Sequence, residues 1–341
     1  MFFLSIFFIH LDFTAKNAIL STIKTERIHM SKVIVFGGSG WVGHNIVIDL
    51  IKHNYDVTVC SRGRNNKFTS KISNVKTVNG DKQDENFIRE LFAAETFDYV
   101  IDTVPTMQSI ANIFKYAKNI KQYIHCSSTG GYAPLPFIPC NESAPYGGFE
   151  SNSGWAAKAK YDNEVMRLFK EENFPATVIR PCYITGPGGL LPLDNFGGRR
   201  EDFISDIAAE KTMDLPDNGQ TLLQPIHVED LARSFRLAIE HPVSIGEIYN
   251  ITLEHAVTIR RYIELNAQAL GKKAHINYIP LEEMCRKYSD SINDTWLRFF
   301  ATHMCFSIDK ARNEIGYIPE HTAEETIIAS AQYAAEILGV K

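Results

Sequence analysis

Three glycines at intervals of three residues, Gly37, Gly40 and Gly43, follow the apolar run Val33-Ile-Val-Phe36 and precede a segment of helical periodicity. Read from Gly38, the same residues also satisfy the pattern G-x-G-x-x-G. Such glycines permit a tight turn, a close approach of backbone to a pyrophosphate, and close packing of the helix on the strand. We therefore predict a dinucleotide-binding loop, with a purely structural glycine turn as the alternative. The residues expected to contact the cofactor here are Gly37, Ser39, Gly40, Trp41, Val42 and Gly43.

The type of dinucleotide is predicted from the end of the second strand. Asp56 to Cys60 is rich in β-branched residues and ends in Ser61 and Arg62, with no acidic residue there. At this place an acidic side chain favours NAD by binding the ribose 2′-hydroxyl, whereas an arginine accommodates the 2′-phosphate of NADP. We predict NADP(H), with NAD(H) less favoured; the alternative is that Arg62 is only a solvated loop charge. Asp81, after the third strand, is placed near the adenine amino group.

A second polar cluster stands where the fifth strand ends, at Ser127, Ser128 and Thr129. Open α/β sheets bind ligands at the carboxyl ends of their strands, so these hydroxyl groups are candidate site residues. The alternative is a serine/threonine turn that closes the strand.

The elements that must position these residues alternate between strand and helix along the chain, which predicts βαβ units and a mainly parallel sheet. The expected fold class is α/β: a Rossmann doubly wound parallel sheet with a smaller mixed C-terminal substrate region. We predict the nucleotide-binding domain in residues 30–182 plus 226–252 and the substrate-binding region in residues 183–225 plus 253–341. Residues 1–29 are an N-terminal extension.

The composition restricts the classes of partner. The chain has 341 residues, 45% of them hydrophobic, and a net charge of −5, which makes nucleic acid an improbable partner on electrostatic grounds. Its six cysteines are scattered without a C-x-x-C pair, so we expect reduced thiols in the cytoplasm and no metal site. The apolar start, Met1 to Ile9, is too short to span a membrane, although organellar targeting by residues 1–29 stays open.

Beyond these local patterns, the chain resembles the extended or atypical short-chain dehydrogenases/reductases of the NAD(P)-dependent epimerase/dehydratase type, from about Ser31 to the C-terminus. Within that family it is most similar to the branch of the chloroplast stem-loop-binding proteins, which includes RNA-associated members. The motifs that carry the resemblance are Gly37-x-x-Gly40-x-x-Gly43, Ser61-Arg62, Gly80-Asp81, Ile101-Asp-Thr-Val104, Cys126-Ser-Ser-Thr-Gly-Gly-Tyr132, Lys160-x-x-x-Glu164, Ile179-Arg180-Pro181, Thr185-Gly186-Pro187, Pro225-Ile-His-Val-Glu-Asp230 and Ser307-Ile-Asp-Lys-Ala-Arg-Asn-Glu-Ile-Gly316-Tyr.

The resemblance implies a catalytic serine or threonine, a tyrosine that acts as general acid/base, and a lysine that lowers the tyrosine pKa and holds the nicotinamide ribose. Ser128 falls at the serine position, with Thr129 as the alternate, and Lys160 at the lysine position. Further cofactor contacts implied by the matching segments are Thr103, Pro181 and Tyr183.

The tyrosine of that family is missing from its expected position. Four residues before Lys160 stands Ala156, and if Lys158 were the lysine, the position would hold Gly154. Tyr146 and Tyr183 are left as residues that could reach the site from loops.

Two functions follow from the sequence. The first is an NADP(H)-binding oxidoreductase or epimerase/dehydratase-like enzyme, acting on a hydroxyl or carbonyl of a small or sugar-like substrate. The second is a non-catalytic nucleotide-sensing or RNA-associated protein on the same fold, motivated by the missing tyrosine. Arg199 and Arg200 are either a site for a substrate phosphate or a solvated pair, and His227 is expected to be structural. A homodimer stays open.

Overall fold

The computed structural model of the chain describes residues 30–63, 75–147 and 154–340. The predicted N-terminal extension, residues 1–29, lies outside the described residues.

The centre of the molecule is a seven-stranded parallel sheet in the order β11-β6-β5-β4-β1-β2-β3. Its order reverses between β1 and β4, because the chain builds β1 to β3 outward on one side and then returns to add β4, β5, β6 and β11 on the other. The crevice at such a reversal is where open α/β sheets bind ligands. The strands are β1 (Lys32–Phe36), β2 (Asp56–Ser61), β3 (Lys76–Asn79), β4 (Tyr99–Asp102), β5 (Gln122–Cys126), β6 (Ala176–Pro181) and β11 (Ile248–Ile251).

Both faces of the sheet are buried, as the nearly continuous apolar sequence of β1 predicts. Val33 and Val35 point into one core cluster, and Ile34 and Phe36 point into another on the opposite face. Helices cover each face, which keeps the backbone of the central strands away from water.

The first face is covered by α1 and α6, which pack on each other, and the second by α2, α3 and α4. These helices are α1 (Trp41–Lys52), α2 (Glu85–Ala94), α3 (Met107–Tyr116), α4 (Gly154–Glu172) and α6 (Val228–Glu240).

The rest of the described chain forms a smaller mixed region beyond the carboxyl ends of the central strands. It contains three two-stranded sheets, of which β7–β10 and β8–β13 are parallel and β9–β12 is antiparallel. These strands are β7 (Tyr183–Thr185), β8 (Thr212–Pro216), β9 (Leu222–Leu223), β10 (Pro225–His227), β12 (Val257–Thr258) and β13 (His275–Ile279). The accompanying helices are α5 (Asp202–Ala208), α7 (Ile259–Ala269), α8 (Leu281–Lys287), α9 (Asp294–Phe300), α10 (Asp309–Ile315) and α11 (Ala323–Leu338).

The predicted fold class is confirmed: a doubly wound parallel sheet with a smaller mixed C-terminal region. The exact domain limits stay a prediction. Within the described ranges, no helix combines the length and apolar character needed to cross a bilayer.

Candidate functional site

A crevice of about 590 Å³ opens at the carboxyl ends of β1, β2 and β4. This is the end of the sheet that the order of the strands selects for ligands. Ten of the predicted cofactor residues line it: Gly37, Ser39, Gly40, Trp41, Val42, Gly43, Ser61, Arg62, Asp81 and Thr103.

The N-terminus of α1 faces this crevice without a side-chain cap or an acidic residue in its first turn. By contrast, Asp84 caps α2 and Thr106 caps α3 through their side chains. The first N–H groups of an α-helix have no acceptor within the helix, and the dipole makes that end positive. The N–H groups of Trp41 and Val42 are therefore left for a ligand, and the crevice fits a dinucleotide diphosphate at this end.

Two glycines of the loop are required by their surroundings. Gly37 has a φ of +81°, and a Cβ there would lie 2.3 Å from Thr103 Oγ1, whose hydroxyl donates to the Phe36 carbonyl. A Cβ on Gly43 would lie 2.3 Å from the carbonyl oxygen of Gly37 and 2.7 Å from the Cα of Gly38. Both clashes with Gly43 involve backbone, so the helix can approach the turn only if that position lacks a side chain.

The end of β2 presents a cation to the far end of the crevice. Ser61 is buried, Arg62 is exposed, and both line the cavity. No carboxylate of the described residues pairs with Arg62. Asp81 lines the same end, and its Oδ1 accepts from the N–H of Gln83 at 3.0 Å, which leaves its other oxygen available.

Consecutive residues of the chain line the crevice and a second cavity of about 140 Å³. Ser127 lines the crevice, whereas Ser128 and Thr129 line the second cavity. Ser128 Oγ accepts from the N–H of Gly130 at 3.1 Å, so its O–H proton remains available for a ligand. Thr129 is buried, and its Oγ1 donates to the Pro181 carbonyl at 3.4 Å. Ser128 is therefore the better placed of the two predicted hydroxyl groups.

Of the two lysines in this part of α4, Lys158 lies at the crevice and the predicted Lys160 does not. Lys158 lines the crevice and its Nζ lies 3.4 Å from the Ser127 carbonyl, whereas Lys160 is exposed. Two residues along an α-helix are separated by about 200° of rotation, so the two lysines point to opposite sides of α4. The burial of Ala159 and Asp162 sets this orientation of the helix.

With Lys158 as the lysine, the family's tyrosine position is Gly154, the first residue of α4. A Cβ built on Gly154 meets no atom within 4 Å in the described chain, so the position is open as well as lacking a side chain.

Neither Tyr146 nor Tyr183, the two tyrosines that the sequence left as alternatives, lines the crevice. The hydroxyl of Tyr146 donates to the Ser128 carbonyl at 2.7 Å and lies 3.1 Å from Ser127 Oγ. Burial raises the pKa of Tyr146 above its ordinary value, and burial raises the pKa of Tyr183 well above it. A raised pKa disfavours the phenolate form that a general base requires.

A buried ionic cluster supports the floor of the site. Asp162 Oδ1 lies 3.1 Å from His125 Nε2, and Oδ2 accepts from Arg180 Nε at 2.8 Å. Burial acts to raise the pKa of Asp162, but the contacts with His125 and Arg180 outweigh burial and hold the pKa below its usual range. The Arg180 guanidinium also stacks on the ring of Tyr146, 3.4 Å from its centroid. The cluster joins β5, β6 and α4, and so fixes Ser127 and Lys158 relative to each other.

Pro181 and Tyr183, which were predicted to contact the cofactor, do not line the crevice. Pro181 is the buried last residue of β6, and Tyr183 lines the second cavity. Sequence matching placed the segment correctly near the site but did not show which cavity each side chain faces. Conversely, Lys82 and Ile184 line the crevice and were not predicted to do so, and Ser127, predicted only as part of the hydroxyl cluster, lines it as well.

The sequence left open whether Arg199 and Arg200 bind a phosphate, and the structure gives both arginines local partners. Arg199 is largely buried and donates to the carbonyls of Leu191 and Ile184. Arg200 lies 3.2 Å from Asp194 and donates to Asn195 at 3.2 Å.

His227, Asp230 and His321 lie close enough together to suggest a metal site, but Nδ1 of each histidine and both oxygens of Asp230 already have partners in the protein. His227 Nδ1 accepts from the N–H of Glu229, which places the proton of the neutral ring on Nε2 and leaves no lone pair for a metal. Asp230 accepts from Arg233, from His321 Nδ1 and from two backbone N–H groups. The cluster ties the start of α6 to the segment before α11, in agreement with the structural role expected of His227.

Residues 33–252 match the model of the NAD dependent epimerase/dehydratase family, and the chain belongs to that family. Among its relatives is the 41 kDa chloroplast stem-loop binding protein b of Arabidopsis thaliana, which is 28% identical over 92% of this chain and 81% of its own length. The UDP-glucose 4-epimerase of Corynebacterium glutamicum is 24% identical, over 90% of this chain and 97% of its own. The structure of UDP-glucose 4-epimerase from Bifidobacterium longum in complex with NAD+ and UDP matches with a TM-score of 0.70 and 20% identity, over 91% of this chain and 100% of that one.

Proposed function

We propose that this protein binds NADP(H) in the crevice and is an oxidoreductase of the epimerase/dehydratase type, acting on a hydroxyl or carbonyl group of a small or sugar-like substrate. The observation that carries the proposal is the uncapped N-terminus of α1, whose free N–H groups face a cavity lined by Ser61 and Arg62. The relatives support a nicotinamide dinucleotide in general, and Arg62 is the reason to prefer the phosphorylated form.

The bound cofactor would accept or return a hydride. The chain's own groups would orient the reactants. Lys158 reaches into the crevice as a cation with hydrogen-bond donors for a ribose hydroxyl, and Ser128 offers its O–H to the oxygen of the substrate. In the absence of the tyrosine, the described residues hold no phenol ready to exchange a proton near pH 7, so we expect slow turnover.

The pair Lys158→Ala and Lys160→Ala tests the proposal with a built-in control. Both substitutions remove a lysine from α4, but only Lys158 faces the crevice. In calorimetric titrations with NADPH, we expect Lys158→Ala to weaken binding about tenfold, the cost of losing a charge-assisted hydrogen bond of about 1.5 kcal/mol. Lys160→Ala should bind as the unmodified protein does. Equal effects of the two substitutions would contradict the assignment of Lys158.

A second candidate function rests on a different observation. Gly154 leaves the site without the family's acid/base, and one relative at 28% identity is named as a stem-loop binding protein. On this alternative the crevice senses a nucleotide and the protein associates with RNA. A gel-shift assay with a stem-loop RNA at physiological salt separates the two, since the net charge of −5 predicts no retention. Specific retention in that assay, together with no turnover, would favour the alternative.

A further inference from the structure

Four of the eleven residues that line the second cavity are aromatic. Trp155 stacks on Phe299 with ring centroids 3.8 Å apart and planes within 10° of parallel. Tyr183 meets the same Phe299 edge-on at 6.2 Å. Trp296 is half exposed, with a relative accessibility of 49%, and completes the lining. Leu193 and Met304 supply the remaining apolar surface.

The size of the cavity suits a single ring. Its volume of about 140 Å³ is close to that of an engineered cavity of ~150 Å³ that binds benzene. A nucleoside diphosphate sugar, which has a base, two sugars and two phosphates, is several times larger than this space.

The charge around the cavity also argues against a nucleoside diphosphate sugar, because no lysine or arginine of the described chain lines the cavity. The four arginines nearest in sequence to its lining residues are engaged elsewhere, and the first of them, Arg180, donates to Asp162 at 2.8 Å. Arg199 and Arg200 have the local partners given above, and Arg298, next to Phe299, donates to Glu282 and Asp294 at 2.6–2.9 Å. A substrate diphosphate would therefore enter without a cation to receive it, and its desolvation would not be compensated.

One polar group stands out at the inner end of the cavity. The O–H of Ser128 has no acceptor among the described residues, and Ser128 adjoins Ser127, which lines the cofactor crevice. A ligand oxygen that accepts from Ser128 would thus lie on the side of the cavity nearest the crevice.

We infer that the second cavity binds an uncharged compound of one aromatic ring that carries a carbonyl or hydroxyl group, and that it does not bind a nucleotide sugar. The ring lies against Trp155 and Trp296, and the oxygen accepts a hydrogen bond from Ser128. This inference deepens the proposed function and rests on it for the role of the ligand as substrate, but the binding itself does not require the cofactor.

The test measures ligand binding to the full chain in the absence of any dinucleotide. Tryptophan fluorescence and saturation-transfer NMR report the binding. The three probes are acetophenone, cyclohexyl methyl ketone and UDP-glucose. Cyclohexyl methyl ketone has a shape similar to that of acetophenone but lacks the aromatic ring. We expect acetophenone to bind with a Kd of about 1 mM or tighter, which is within the range a ligand of this size can reach. Cyclohexyl methyl ketone should bind about threefold or more weakly, because it loses the aromatic contact. UDP-glucose should show no saturable binding.

Variants locate the ligand. Trp155→Leu should weaken acetophenone binding about fivefold and Ser128→Ala about threefold, given typical energies of aromatic contacts and neutral hydrogen bonds. Lys160→Ala, on the exposed side of the same helix, should change nothing. Circular dichroism of each variant confirms folding, and a methionine at position 155 (Trp155→Met) serves if the leucine variant does not fold.

Saturable UDP-glucose binding that competes with acetophenone would overturn the inference, as would the absence of acetophenone binding or binding indifferent to both Trp155→Leu and Ser128→Ala. Failure of the proposed function looks different. In that case neither dinucleotide binds, while acetophenone still binds in a manner that depends on Trp155 and Ser128.

Discussion

At the scale of single residues, the site depends on which side of α4 carries its lysine. Lys158 reaches the crevice and places Gly154 one helical turn earlier on the same face. A Cβ at Gly154 meets no described atom within 4 Å, so a side chain can begin at this position without a clash at its first carbon.

Restoring the phenol at this position should raise activity. We expect Gly154→Tyr to increase kcat/KM on a substrate turned over by the protein by about 100-fold or more, the usual contribution of a positioned general acid/base. Gly154→Phe supplies the same ring without the hydroxyl and should give no increase. Steady-state kinetics at the reduced-nicotinamide absorbance band measures both, and an equal response of the two variants would argue against a site built for this chemistry.

The preference for NADP(H) is assigned to Arg62, which is exposed at the end of β2 and borders the crevice. Arg62→Ala should weaken NADPH binding about tenfold and leave NADH binding nearly unchanged, because only the former has a phosphate on its ribose. The exposed Arg286, in α8, serves as the matched control. Tighter binding of NADH than of NADPH by the unmodified protein would show that Arg62 is only a surface charge.

His227 links stability to pH. Burial, together with the positive charge that His321 can carry, lowers the pKa of His227 to about 4. The unfolded chain, with a pKa near 6.5, therefore binds more protons between these values, and the free energy of unfolding falls as pH decreases from 6.5 towards 4. A pKa change from 6.5 to about 4 corresponds to a contribution of about 3 kcal/mol from this residue.

His227→Asn should reduce that pH dependence, since asparagine also caps a helix N-terminus but does not titrate. Urea unfolding at pH 7 and at pH 4.5 measures the difference. If the variant loses as much stability on acidification as the unmodified protein, His227 is not the group responsible.

At the scale of elements, the strand β1, the glycine loop and the start of α1 work as one unit. Two glycines at the start of α1, Gly40 and Gly43, differ in the contacts that a Cβ atom would make there. A Cβ on Gly43 would collide with the backbone of Gly37 and Gly38, whereas one on Gly40 would lie 3.4 Å from the Gly37 carbonyl, an ordinary contact.

These two positions predict separable effects. Gly43→Ala should lower the thermal midpoint by several degrees, as expected of a substitution that strains the core by about 2 kcal/mol or more. Gly40→Ala should lower that midpoint by only about 2 °C, because its Cβ meets no atom closer than 3.4 Å and the poorer N-cap costs about 1 kcal/mol, but it should weaken NADPH binding by placing a methyl group where the diphosphate approaches. Differential scanning calorimetry and calorimetric titration report the two quantities. Unchanged NADPH affinity in Gly40→Ala would place the diphosphate elsewhere.

The elements of the fold could be predicted from sequence because the information is local. The apolar run of β1 and the glycines after it determine a strand, a turn and a helix within a dozen residues, and the alternation of such units determines the sheet. The lysine was predicted in the wrong register because two lysines two residues apart, Lys158 and Lys160, match the motif equally well. Only the burial of Ala159 and Asp162 decides between them, and that depends on what α4 packs against.

At the scale of the whole molecule, the second cavity shows what sequence reasoning could not reach. Its stacked pair, Trp155 and Phe299, joins α4 to α9 from distant parts of the chain. No local pattern signals such a meeting, because it depends on how the C-terminal region returns over the ends of the sheet. The chain thus places a charged, loop-lined crevice beside an uncharged aromatic cavity, with Ser127 and Ser128 between them.

The most direct test of the account is a titration of the isotope-labelled protein with NADPH, followed through the backbone amide resonances. The account predicts saturable shifts that are largest at Trp41, Val42 and Gly43, whose N–H groups are the free donors at the start of α1, with smaller shifts at Ser61 and Arg62. If neither NADPH nor NADH moves these amides, the crevice is not a dinucleotide site and the proposed function is wrong.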